Sequence, residues 1–83
     1  MTSTNSPTEI QLGVYEHYRN KQHYLVTGYA TLESDESQLV LYVPLYQDDK
    51  GLGRIWAREI NDFTAEVEHE GQTVPRFRYV GKM

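Results

Sequence analysis

Residues 39–58, LVLYVPLYQDDKGLGRIWAR, constrain the fold of this chain more than any other stretch. Leu39, Leu41, Val43 and Leu45 share one parity, and Val40, Tyr42, Pro44 and Tyr46 share the other. After the polar, glycine-bearing run 47–53 the alternation resumes, with Ile55 and Ala57 set against Arg54, Trp56 and Arg58. Successive side chains of an extended strand point to opposite faces, so this period of two predicts a hairpin of two strands. The leucine and valine row, continued by Ile55 and Ala57, is expected to face the core. Paired residues in a hairpin point to the same face, and a turn centred near Lys50 then sets Tyr46 opposite Arg54, Pro44 opposite Trp56 and Tyr42 opposite Arg58.

The rest of the chain reads in the same vocabulary. Residues 13–18 alternate as a first strand, and 19–23, RNKQH, form a polar turn. Residues 24–32 form a second strand, with Tyr24, Val26, Gly28, Ala30 and Leu32 on one face and Leu25, Thr27, Tyr29 and Thr31 on the other. The small side chains of Gly28 and Ala30 suit a close approach or a sharp bend. The acidic run 33–38, ESDESQ, is a solvated loop, and pairing across it sets Leu32 near Leu39, Ala30 near Leu41 and Tyr29 beside Tyr42. Ile60 and Phe63, three apart, suit a single helical turn near residues 59–63. A short strand at 65–69, a turn at 70–72 in which Gly71 supplies a positive φ, and a last strand at 74–80 with Pro75 marking an edge or bulge complete the pattern. The expected fold is all-β: a small, strongly bent barrel of about five to six short antiparallel strands with one helical turn.

At 83 residues there is room for one domain, placed at 9–83, behind a Ser/Thr/Asn/Pro-rich lead-in at 1–8 that is expected to be disordered. There is no cysteine, which removes thiol chemistry and fits a reducing interior. With no signal-peptide pattern and no apolar run of membrane-spanning length, a soluble cytoplasmic protein is expected, with no membrane partner. A net charge of -4 disfavours a phosphate-tracking surface, so nucleic acid is not the expected partner.

The candidate binding surface is the outer face of the hairpin, which would gather Tyr29, Tyr42, Pro44, Tyr46, Arg54, Trp56 and Arg58. Aromatic rings edged by arginine combine contact area with directed hydrogen bonds and cation-π attraction, and suit a peptide, a planar ligand or a protein partner. A second reading stays open beside it: a small bent barrel buries parts of both faces, which would make Trp56 and some tyrosines core residues with arginine stems packed over them. Secondary candidates are Arg76 and Arg78, on one strand face with Phe77 and Tyr79 on the other, and the pair Tyr15 and His17. His17 reads as a structural histidine bonded near Tyr15, or as the catalytic group of a small enzyme. His17, His23 and His69 lack metal-ligand spacing, the turn glycines Gly51 and Gly53 are not followed by a helix, and no metal or cofactor is expected. The functions compatible with these residues are a binding module, a self-associating homodimer with no ligand, or that small enzyme.

The frame Gly13-x-Tyr15-x-His17-Tyr18-Arg19, then Tyr24-x-Val26 and Ala30, Val40-x-Tyr42-x-x-Leu45-Tyr46, Trp56-x-Arg58, Phe63, Val67, Gly71 and Val74-Pro75-Arg76-Phe77 resembles a small bacterial family. That family is a domain of unknown function, serial number sixteen fifty-three, and the resemblance covers about residues 12–80. It implies an SH3-like barrel or roll and no particular reaction or ligand. The chain reads as a divergent member. The family's His-Ser-Glu-Thr segment is replaced by Leu32, Glu33, Ser34 and Asp35, a glycine by Asn20 and a proline by Glu59, so any function carried by that segment is lost or altered here.

Overall fold

Backbone pairing turns the alternating stretches into seven strands and one helical turn: β1 (Gly13–His17), β2 (His23–Leu32), β3 (Ser37–Pro44), β4 (Trp56–Glu59), α1 (Ile60–Phe63), β5 (Glu66–His69), β6 (Gln72–Pro75) and β7 (Phe77–Gly81). These elements belong to a computed structural model that describes residues 10–46 and 54–82. The lead-in at 1–8 and the hairpin turn at 47–53 therefore lie outside the described residues. Five strands form one antiparallel sheet in the order β4-β3-β2-β1-β7, and β5 pairs only with β6. The large sheet curls into a half-barrel, and α1 packs on β3 and β4. The expected last strand is split at Arg76, whose neighbours on either side belong to different sheets.

The curl has a local origin in β2. Its pairing with β3 slips between Val26 and Gly28, so Val26 opposes Tyr42 while Gly28 opposes Leu41. An extra residue in one strand bends it and reverses the parity of the residues beyond it. Tyr24 and Val26 are accordingly buried, whereas Gly28, Ala30 and Leu32 continue on the opposite face, and the single face expected for these five residues is corrected. At the other side of the sheet, Gly13 sits at φ 141 beside β7, and a Cβ there would lie 2.8 Å from the carbonyl oxygen of Gly81. No other residue fits so close a backbone approach. Gly71, at φ 81, closes the β5–β6 turn as its sequence context predicts.

The concave side of the half-barrel holds the core, and it is the face opposite to the one expected. Val40 and Tyr42 are 0% and 5% exposed, and Tyr46 and Trp56 pack against the core, while Leu45 and Ile55 are exposed. Both parities of β3 are apolar, so alternation defines two faces without saying which is covered. The ring-bearing face is covered because α1 delivers Ile60 and Phe63 and β7 delivers Phe77 to that side. Phe63 and Phe77 stack at 4.2 Å with planes 4° apart, and Tyr15, Tyr24 and Tyr42 meet one or both rings at 5.4–5.8 Å.

Both hairpin registers differ from expectation by two residues. Tyr42 opposes Trp56 and Val40 opposes Arg58; Ala30 opposes Leu39 and Tyr29 opposes Val40. The β2–β3 turn is tighter than the acidic run suggests. Glu36 adopts φ 62 and donates its N–H to the Leu32 carbonyl at 2.6 Å, which brings Ser37 opposite Leu32. The Asp35 carboxylate holds the turn by accepting from Ser37 N and Oγ at 3.0 and 2.8 Å, and these bonds lower its pKa. Leu32, Glu33, Ser34 and Asp35 thus lie at the start of a structural turn.

Truncation of a buried ring removes packing on every side. Phe63→Ala is expected to lower unfolding free energy by about 3–5 kcal/mol in urea denaturation, enough to abolish folding in a domain of marginal stability. Ile55→Ala, on the convex face, is expected to stay within about 0.5 kcal/mol of the parent. The reverse order would contradict the assignment of the concave face as core.

Candidate functional site

Tyrosine rings make up much of the core, and each hydroxyl must find a partner at its edge. Tyr15 donates to the Gln11 carbonyl at 2.8 Å, and burial raises the pKa of its phenol. The hydroxyls of Tyr24 and Tyr46 meet at 2.8 Å, and the side-chain amide of Asn20 donates to Tyr24 at 3.3 Å. Arg58 Nε donates to the Tyr42 hydroxyl at 3.3 Å. The aromatic core therefore ends in a hydrogen-bonded polar rim rather than in bare hydrocarbon.

The rim is richest where β4, α1 and the residue before β7 converge. Arg58 lies on the core parity of β4, its guanidinium carbon 5.7 Å from the centre of the Phe77 ring. One turn on, Asp62 of α1 accepts from Arg58 at 2.6 Å. Arg76 reaches the same residue, donating Nε to the Asp62 carbonyl at 3.0 Å and placing another guanidinium nitrogen 3.4 Å from the carboxylate. Two guanidiniums thus share one carboxylate that is about half exposed. Burial alone would lower the pKa of Arg58, but the Tyr42 hydroxyl and Asp62 outweigh it and the value is raised, so the group stays charged.

His17 completes the group. Its ring lies 5.0 Å from Phe77 and 6.5 Å from Tyr24, and its Nδ1 accepts the Arg19 N–H at 3.2 Å. Burial is the largest influence on its pKa, followed by the charges of Arg58, Arg19 and Arg76, and all four lower it. The imidazole is neutral at pH 7, able to donate or accept but held away from the charged state.

Only part of the outer-face platform survives as a unit, and it lies on the inner face. Tyr42 and Arg58 are bonded directly, and Arg54 sits 5.6 Å over the ring of Trp56. Tyr46 and Pro44 lie near Tyr24, Tyr46 through its hydroxyl and Pro44 as its strand partner. Tyr29 does not join them: beyond the slip in β2 it bonds to the backbone of Ile10, both donating to its carbonyl and accepting its N–H. Arg76 and Arg78 are also separated. Arg78 binds Glu16 at 2.7 Å and lines a groove of about 160 Å³ with Tyr18, His69 and Val74. Asp62 and Asn20 are not legible as site residues in the sequence, although the four-residue spacing of Arg58 and Asp62 is the one that pairs charges across a helical turn. Among the described residues, no three His, Asp or Glu side chains gather as metal ligands would, and no helix is long and apolar enough to cross a membrane.

A small curled antiparallel sheet with an aromatic core and an arginine-bearing rim is the class of domain these features define. The chain belongs to the family described as "Protein of unknown function (DUF1653)", whose model matches residues 13–79. It is similar to a crystal structure of a DUF1653 protein from Bordetella bronchiseptica, with 31% sequence identity and a TM-score of 0.82 over 94% of this chain and 96% of that one. No curated protein matches it.

The environment of His17 makes stability depend on pH with a definite sign. Its folded pKa lies below the ordinary 6.5, so on acidification the unfolded chain takes up this proton first. Stability from this group is fully present above pH 6.5, falls as pH drops through the folded value, and is level below it. An NMR titration of the imidazole should show a midpoint under 6.5, and His17→Gln should flatten the urea midpoint over that interval. A midpoint above 6.5 would contradict the buried, arginine-flanked environment.

Proposed function

We propose that this protein is a non-catalytic binding module that takes an anionic group of a peptide or small ligand at the rim formed by Arg58, Arg76 and His17. The observation that carries the reading is the sharing of one carboxylate by two guanidiniums: Asp62 neutralises one charge and leaves the other available. In a chain of net charge -4, a local excess of positive charge beside the half-buried ring of Trp56 is a chemical address. Arginine binds carboxylate and phosphate through a planar fork, the neighbouring rings add contact to an aromatic or flat ligand body, and neutral His17 offers a directed hydrogen bond.

The compartment that suits this reading is the cytoplasm of a bacterium, supported by the absence of cysteine and by the similarity to the Bordetella protein. The curled sheet supports the SH3-like description of the fold.

Titration with benzoate, phenyl phosphate and inorganic phosphate tests the site by NMR. Phenyl phosphate and benzoate are expected to move the side-chain signals of Arg58, the imidazole of His17 and the indole of Trp56, with phosphate moving the first two. Arg58→Gln and Arg76→Gln should each weaken binding about tenfold, the cost of one charge-assisted contact. Arg78→Gln, whose partner is Glu16, should leave it unchanged. Shifts that persist in both rim variants, or none with any of the three anions, would overturn the proposal.

A further inference from the structure

The three histidines of the chain differ in what faces them. His23 has the Glu16 carboxylate 3.7 Å from its Nε2, and His69 has that of Glu70 at 3.8 Å. Among the described residues, no carboxylate lies within ion-pair distance of His17, because Asp62 is held by Arg58 and Arg76. Guanidiniums flank it instead: Arg58 of β4, which lies against the same Phe77 ring, Arg76, which precedes β7, and Arg19 of the turn after β1. Its remaining neighbours are the rings of Tyr18 and of Tyr24 in β2, at 4.9 and 6.5 Å, and His69 of β5 stands 5.3 Å from Tyr18. Nδ1 of His17 accepts the Arg19 N–H at 3.2 Å, which places the imidazole proton on Nε2, and Nε2 meets no hydrogen-bond partner among the described residues. The turn has further ties that do not use the ring. The His17 N–H donates to the Gln22 carbonyl and the Lys21 N–H to the His17 carbonyl, both at 3.0 Å, and the Gln22 N–H donates to the Asn20 side chain at 2.8 Å.

Resting on the anion site proposed above, we infer that capture at the rim is proton-coupled: His17 takes up a proton as the anion binds, and the same proton releases Arg19. Two properties of the site lead there. The first is charge. A histidine flanked by guanidiniums resists protonation, and an anion beside it supplies the negative group that His23 and His69 already have and His17 lacks. Coupling is reciprocal, so an anion that favours the imidazolium is itself bound more tightly by the imidazolium form. The second is hydrogen-bond polarity. A proton arriving from solvent on Nδ1 turns that nitrogen from acceptor to donor, and the Arg19 N–H loses its partner. The backbone ties of the turn persist, so the release is confined to Arg19. That residue carries a guanidinium 5.6 Å over the Tyr18 ring, donating to its hydroxyl at 3.1 Å. In acid the rim thus gains one positive charge and presents N–H donors on both ring nitrogens. Affinity is level at high pH, rises as pH falls between the imidazole midpoints of the bound and free protein, and is level again below both.

Benzenesulfonate is the probe, because its own charge is constant across the range where histidine titrates. NMR titrations at roughly pH 8 and roughly pH 5 bracket the imidazole, and binding should be at least about tenfold tighter in acid, the effect of one added charge-assisted contact. With the parent protein saturated, the His17 midpoint should rise by about one pH unit, the reciprocal of that factor. His17→Gln should bind with one affinity at both pH values, which separates His17 from His23, His69 and the carboxylates. In the free protein the Arg19 amide proton should move upfield, toward an unbonded position, with the midpoint of the His17 ring. An affinity that does not change with pH, a dependence that persists in His17→Gln, or a His17 midpoint indifferent to benzenesulfonate would overturn the coupling. An Arg19 amide that keeps its position through the ring titration would overturn the release. Absence of binding at both pH values would remove the rim and the coupling together, whereas binding that fails to tighten in acid leaves the rim standing and overturns this inference alone.

Discussion

The stack of Phe63 on Phe77 is the contact on which the architecture depends. Phe63 is carried by the helical turn that follows β4, and Phe77 opens β7, at the opposite edge of the same sheet. Bringing the two rings to 4.2 Å requires the sheet to curl far enough for its edges to approach across the concave face. The slip in β2 makes that curl possible, and Gly13 lets β7 lie close against β1. Around the pair, Tyr15, Tyr24 and Tyr42 present ring edges, the arrangement aromatic quadrupoles favour. In a chain of 83 residues the core is small, and rings supply more buried area per residue than leucine does.

Building the core from tyrosine determines what surrounds it. Every phenol carries a hydroxyl that cannot be buried unpaired, so the rings must end near water or a donor. Arg58 meets both needs, bonding the Tyr42 hydroxyl and covering Phe77 with its guanidinium. Asp62 and Arg76 then enter as the counter-charge and its second partner. The same side chains that complete the core thus create a concentrated positive charge beside the half-buried ring of Trp56. Structural necessity and chemical opportunity coincide in these residues, and a variant that alters binding at the rim will also report on stability.

Legibility in the sequence stops where alternation stops encoding structure. The all-β class, the first strand, the turn at Gly71 and the helical turn carrying Ile60 and Phe63 are readable, because each rests on a local period or a backbone requirement. The inner face of β3 is not, since Leu39, Leu41 and Val43 are as apolar as Val40 and Tyr42. Only contacts with α1 and β7, distant in sequence, decide between them. The parity change in β2 is half legible: Gly28 and Ala30 mark where the strand can bend, but not that the slip sets Tyr29 opposite Val40, where its hydroxyl bonds to the backbone of Ile10. At the site, the arginines and rings of the 39–58 hairpin stand out by residue type, whereas Asp62, which ties Arg58 to Arg76, is hidden in the helical turn between them.

Both parities of β3 are apolar, and only one of them enters the core. Where a strand is apolar on both parities, folding leaves one set of side chains uncovered, and that set costs solvation unless something meets it. In β3 the tyrosine-bearing parity is buried and the leucine-bearing parity, Leu39, Leu41 and Val43, is left half-buried on the convex side. The domain is too small to wrap a second layer over the sheet from its own described residues, since β5 and β6 pair only with each other.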